Sequence, residues 1–152
     1  MKNGLKLRQV TPKDEALLFN WANDPDVRYQ AINQQEITID EHRKWISLRL
    51  NDPNTMMWIL EDDGIPAGQI RWDLKGKEAM LDYSISRDYR GRGLGVELLR
   101  ISIEEVYDIW TDISLIAEVK EKNIASCKVI IAAGFEQINS NRFGYLRYKF
   151  KL

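Results

Sequence analysis

The chain has 152 residues, 44% of them hydrophobic and 30% charged, which fits one globular domain over 1–152 and excludes a disordered or fibrous chain. Lys and Arg total 22 against 23 Asp and Glu, a net charge of -1, so nucleic-acid binding by bulk positive charge is excluded while a small local anion site is not. One cysteine, Cys127, and one histidine, His42, exclude a disulfide framework and a Cys/His zinc site; no metal, no membrane span and a cytoplasmic address are expected.

The first residues, Met1-Lys2-Asn3-Gly4-Leu5, lack the apolar run of a signal peptide and read as the approach to a strand. Over residues 4–10, Leu5, Leu7 and Val10 alternate with polar partners. Thr11-Pro12 then opens a helix, with Leu17, Leu18 and Trp21 on one side. Asn23-Asp24-Pro25 ends it and starts a short helical turn toward Arg28 and Tyr29. Thr38 and Glu41 have capping-box spacing, and the helix they open carries His42, Trp45, Ile46 and Leu48 to about Leu50. Strand-like runs at 56–61, 65–74 and 80–86, separated by Asp63-Gly64 and Lys75-Gly76, predict an antiparallel meander. After residue 95 a helix presents Val96, Leu99, Ile103, Val106 or Tyr107, and Trp110 along one face. A strand at 113–119, a helix at 123–133 stopped by Gly134, and a hairpin of 135–138 with 143–150 complete the order. The fold class is α/β (α+β), a mixed sheet flanked by helices.

Residues 90–95 read Arg-Gly-Arg-Gly-Leu-Gly between a strand and a long helix. Closely spaced glycines let backbone N–H groups converge, and a helix N-terminus adds free donors and a positive dipole end. Such a turn suits a pyrophosphate, with Arg90 and Arg92 as cationic partners. A P-loop is excluded because no Lys-Ser/Thr follows, and a dinucleotide fingerprint fails at Val96. What remains is R-x-x-G-x-G, formed by Arg90, Gly93 and Gly95.

That turn, with Asn123-Ile124-Ala125-Ser126 and Ala133-Gly134-Phe135 farther on, resembles the GNAT family, the Gcn5-related N-acetyltransferases, along nearly the whole chain. The resemblance implies a mostly antiparallel sheet of about seven strands, splayed between the fourth and fifth. It implies acetyl-CoA as co-substrate, with the pantetheine arm along the backbone of Ile85 and Arg87. The pyrophosphate would lie on Arg90, Gly91, Arg92, Gly93, Leu94 and Gly95, with Asn123 and Ser126 across the splay. The implied reaction is direct acetyl transfer to a primary amine in a ternary complex. Many members carry a tyrosine acid where this chain has Ile130. Ser126, Tyr83 and water are the substitutes, and a branch that acetylates ribosomal-protein N-termini shares Asn-x-x-Ser without that tyrosine. Asp82 is the candidate base, against its reading as a solvated strand carboxylate; Glu118 and His42 are alternatives. Cys127 reads as a small buried helix residue.

Residues 21–28, Trp-Ala-Asn-Asp-Pro-Asp-Val-Arg, and 68–73, Gly-Gln-Ile-Arg-Trp-Asp, are similar to the branch that acetylates UDP-linked amino sugars for pseudaminic acid-type glycans. On that reading Arg28 and Arg71 meet phosphate, and Trp21, Trp45 or Trp72 stack on a sugar or base. His42 lies on a helix that walls the acceptor site, although a lone helical histidine also reads as a surface residue. The competing reading makes the tryptophans core and the arginines ordinary ion-pair partners. The expected partners are a small-molecule amine and a second copy in a homodimer, with no nucleic acid. The other functions in play are protein N-terminal acetylation and non-catalytic acyl-CoA binding.

Overall fold

The computed structural model describes residues 4–151, so the reading of Met1, Lys2 and Asn3 lies outside the described residues. Strand β1 (Leu5–Gln9) runs into Thr11-Pro12. The helix expected there begins as a single 3-10 turn, Pro12–Asp14, before α1 (Glu15–Ala22). Asp14 explains the tighter start: its carboxylate accepts from the Thr11 N–H at 2.9 Å and holds the Arg8 guanidinium at 2.8 and 2.9 Å. The Arg8 hydrogen bond holds the Asp14 carboxyl below its ordinary value of 3.8 against the opposing effect of burial. Helices α2 (Pro25–Gln30) and α3 (Ile39–Leu50) follow, the latter capped by Thr38, whose hydroxyl accepts from the Glu41 N–H at 3.2 Å.

The meander forms as expected, as β2 (Thr55–Asp62), β3 (Ile65–Lys75) and β4 (Glu78–Ile85). Then come α4 (Leu94–Ile109), β5 (Ser114–Lys120), α5 (Ile124–Ala132), β6 (Phe135–Ile138) and β7 (Tyr145–Phe150). The seven strands lie in the order β1-β2-β3-β4-β5-β7-β6, and every pairing is antiparallel except β4 with β5.

Helices cover both faces of the sheet, which explains why residues 56–60 of β2 are apolar without alternation. Trp58 and Leu60 join the core under α4 and α5, with Trp72, Leu98, Leu99, Leu115 and Ile130. Met57 and Ile59 join a second core with Val10, Leu18 and Ile46, under α1 and α3. Each such side chain taken fully from water contributes about 1.5–3 kcal/mol. Trp72 is fully buried, its indole N–H donating to Ser102 Oγ at 3.1 Å, so it is core and not a stacking surface.

Among the boundaries that differ from expectation, two change a residue's place. The apolar stripe of α4 includes Leu94 and Leu98, and Trp110 is not on it, because Trp110 takes extended backbone angles and ends the helix. Phe143 lies outside β7 and is fully exposed, whereas Tyr145 is the first residue of the strand.

Candidate active site

The parallel pairing of β4 with β5 covers only Glu78 with Ser114, Ala79 with Leu115, and Met80 with Ile116. Beyond these pairs the strands diverge, while β3 stays paired with β4 as far as Ile85 and β7 stays on β5 as far as Lys120. The splay expected between strands four and five is present. The Ser86 N–H donates to Ala67 O on the β3 side, so by the pleat alternation Leu81, Tyr83 and Ile85 turn their backbone groups into the V. The Ile85 carbonyl accepts from Arg90 Nε at 2.9 Å.

Tyr83 and Ser126 meet across the V, oxygen to oxygen at 2.9 Å. Burial raises the Tyr83 hydroxyl above its ordinary value of 10.0, with the Ser126 hydrogen bond opposing in part, so the phenol is protonated and available as a donor. Asn123 caps α5, its Oδ1 accepting from the Ser126 N–H at 3.2 Å, and so orients Ser126. Ile130 is fully buried core. Cys127 is buried, as expected; it lies beside Tyr148, whose hydroxyl is pushed up to about 12 by burial, with Cys127 adding to the effect.

Gly91 and Gly93 have φ of +77° and +75°, the left-handed region, and Gly93 is the N-cap of α4. Space beside Gly91 is open. Gly95 serves a different purpose, because an added Cβ would meet Val129 Cγ1 at 3.2 Å, so its absence lets α4 close on α5. The first N–H groups of α4 have no acceptor within the helix. Two of the arginines beside this turn are paired with carboxylates. Arg90 donates to Asp26 at 3.0 Å and Asp24 at 3.2 Å, and Arg87 reaches Asp24 at 3.3 Å. Arg92 lies over the Tyr89 ring, 5.1 Å from its centroid. Burial pushes the Asp24 carboxyl up, but the Asp26 N–H and the charges of Arg90 and Arg87 more than offset it and hold the group below its ordinary value.

On the other face of the sheet, a cavity of about 440 Å³ collects Trp21, Arg28, His42, Trp45, Arg71 and Asp82, which come from α1, α2, α3, β3 and β4. His42 is buried, not at the surface, between the rings of Phe19 at 5.5 Å and Trp45 at 5.7 Å. Burial holds its imidazole below the ordinary value of 6.5, with Glu15 opposing, so the ring is neutral at pH 7. Arg71 lies 5.0 Å from the Trp45 ring centroid and bonds Asp73 at 2.8 Å, with Asp82 at 3.7 Å. Arg28 donates to the carbonyls of Ala22, Asn33 and Gln35, and among the described residues it forms no ion pair. Asn23 bonds both backbone groups of Ile37 at 2.8 Å. Residues 21–28 thus tie the segment 31–37, the cavity wall and the glycine turn together. Glu118 does not line this cavity; its carboxylate faces Arg147 at 3.6 Å.

Gln69, Ser84 and Glu41 also line the cavity and were not read from the sequence. The first two had a signal in the strand period, because Gln69 pairs with Ser84 and Arg71 with Asp82 across β3 and β4. Gln69 Nε2 donates to Asp82 at 3.2 Å and to Ser84 at 3.1 Å.

Among solved structures, the chain is similar to spermidine N-acetyltransferase from Vibrio cholerae in complex with CoA and spermine. The TM-score is 0.84 at 14% identity, covering 97% of this chain and 94% of that one. It is also similar to RimL, a ribosomal L7/L12 alpha-N-protein acetyltransferase in complex with CoA (TM-score 0.82, 17% identity, 97% and 94% covered). A third is AAC(6')-Ib in complex with paromomycin and acetyl-CoA (TM-score 0.80, 17% identity, 97% and 92% covered). No curated protein matches the chain. The acetyltransferase (GNAT) domain family matches residues 4–136, and this chain belongs to that family as an acyl-CoA-dependent N-acetyltransferase.

Proposed function

We propose that the protein acetylates the amine of a small molecule, an amino sugar carried on a nucleotide. The observation that carries this reading is the cavity of about 440 Å³, lined by two indoles and by Asp82 and Ser84 of the strand that opens into the V. Indole faces suit the C–H face of a sugar ring. Glu41 and Asp82 are the two carboxylates on the wall. Arg28, with three carbonyl partners and no ion pair among the described residues, favours an acceptor that also bears phosphate.

Acetyl-CoA supplies the acetyl group as a thioester. The backbone of residues 90–95 holds its pyrophosphate, the backbone of Ile85 and Arg87 takes the pantetheine, and Asn123 and Ser126 face it across the V. Asp82 receives the proton that the amine gives up on forming the amide. A β4 N–H facing the V donates to the thioester oxygen as charge develops on it. Ser126, relayed by Tyr83, donates a proton to the departing sulfur in place of the missing tyrosine.

The test is acetyl-CoA turnover, read as thiol release, with UDP-linked amino sugars, free amino sugars, spermidine and a peptide N-terminus. Turnover on the sugars is expected. Turnover on the peptide alone would establish protein N-terminal acetylation instead, and tight CoA binding with no turnover on any amine would establish a binding module.

A further inference from the structure

The Asp82 carboxylate is held by one of its two oxygens. Its side chain is 52% exposed and lines the cavity. Two side chains of β3 approach the same atom: Gln69 Nε2 donates to Oδ2 at 3.2 Å, and the Arg71 guanidinium stands 3.7 Å from it. Among the described residues Oδ1 accepts no hydrogen bond. The strand register prepares this arrangement. Gln69 lies opposite Ser84 and Arg71 opposite Asp82, so all four side chains share the sheet face that lines the cavity.

The chemistry of the partners fixes the Gln69 amide one way round. A carboxylate oxygen takes only a donor, so Nε2 faces Asp82, and its other N–H goes to Ser84 Oγ at 3.1 Å. Arg71 is held from behind. Its Nε donates to Asp73 at 2.8 Å, and Asp73 also accepts from Arg49 and from the Thr55 hydroxyl, each at 3.0 Å. The terminal torsion of an aspartate is soft, so a half-exposed carboxylate left to itself samples many orientations. The hold on Oδ2 restricts that rotation and so restricts where Oδ1 lies.

We propose that Gln69 is a positioning residue for deprotonation of the amine: it holds Asp82 Oδ2, and Oδ1 is the oxygen that receives the proton. This rests on the reading of Asp82 as the base and goes beyond it by naming the receiving oxygen and the residue that orients it. As the amine nitrogen bonds to the thioester carbon, one N–H bond breaks and its proton goes to Oδ1. The C–S bond breaks, and the sulfur leaves with a proton from Ser126. Solvent then takes the proton from Asp82 and restores one to Ser126, so no net proton is left on the protein. Gln69 neither gains nor loses a proton. Its effect is geometric, and misplacing a reacting group by about 1 Å costs up to about 100-fold in rate.

The experiment compares wild type, Gln69→Leu, Gln69→Glu, Asp82→Asn and the double variant Gln69→Leu/Asp82→Asn. The amine is whichever of UDP-linked amino sugars, free amino sugars, spermidine and a peptide N-terminus the wild type turns over fastest. Asp82→Asn lowers kcat about 100-fold. Gln69→Leu lowers kcat about tenfold, with the KM for the amine and for acetyl-CoA nearly constant. Gln69→Glu keeps the side-chain size but replaces the N–H donors with a carboxylate, and it loses at least as much as Gln69→Leu. The double variant is no slower than Asp82→Asn alone, because Gln69 acts only through Asp82. An unchanged KM for acetyl-CoA in each variant reports an intact fold. Wild-type kcat in Gln69→Leu or Gln69→Glu, a loss confined to the KM for the amine, or fully additive losses in the double variant would overturn the inference. With Asp82→Asn still slow, each of these leaves Asp82 as the base. Wild-type kcat in Asp82→Asn, or no turnover of any amine by the wild type, would overturn both.

Discussion

The two proposed sites are built by different means. The proposed acetyl-CoA site rests on backbone: left-handed glycines at 91 and 93, the start of α4, and the inner edge of β4 beyond Met80. The proposed acceptor site, on the other face of the sheet, rests on side chains from five elements, from Trp21 on α1 to Asp82 on β4, gathered around one cavity. A site made of backbone accepts one invariant ligand part and tolerates little local change. A site made of side chains can be retuned residue by residue, which suits a fold that hosts many acceptors.

The largest effect breaks the backbone side. Gly93→Glu forces a side chain onto a φ of +75° and brings a carboxylate to the proposed pyrophosphate position. Acetyl-CoA affinity, measured by calorimetry, falls about 100-fold or more, while the circular-dichroism spectrum is retained. Unchanged affinity would remove this turn from the cofactor site.

Next comes the contact across the V. Tyr83→Phe and Ser126→Ala each lower kcat about 10–100-fold at nearly constant KM for acetyl-CoA, and the double variant loses little more than either single one. Fully additive losses would mean that the 2.9 Å contact is not one functional unit.

Asp24 joins the two sides, since it caps α2 and receives Arg87 and Arg90 from the turn. Asp24→Ala lowers stability by about 1–3 kcal/mol in urea unfolding and raises KM for the acceptor severalfold. A change confined to the KM for acetyl-CoA would show that the tie serves the turn alone.

The smallest effect concerns the support under α1, which carries Trp21 to the cavity. Asp14 has a depressed carboxyl value, so its contribution to stability is complete above 3.8 and is lost as pH falls toward the lower folded value. Thermal melts of wild type between about pH 5 and pH 2 therefore fall more steeply than those of Asp14→Asn. Parallel curves would mean that the Arg8–Asp14 pair adds nothing under α1.

The same division decides what could be read from the sequence. Thr38 before α3, Asn123 before α5, the Asp63-Gly64 turn and the glycine run are local signals, and each acts within a few residues of where it stands. The burial of His42 between Phe19 and Trp45 has no local signal, since it needs α1 packed on α3. The capture of Arg90 by Asp24 and Asp26 spans more than sixty residues, so the arginines beside the glycines read as free phosphate ligands. Trp72 read equally as core or as platform, because only the partner Ser102 on α4 decides it.

The most direct test is thiol release from acetyl-CoA by wild type and Gly93→Glu, each offered UDP-linked amino sugars. The predicted result is sugar-dependent release by the wild type that vanishes in the variant. Wild-type CoA binding without release on any sugar would contradict it.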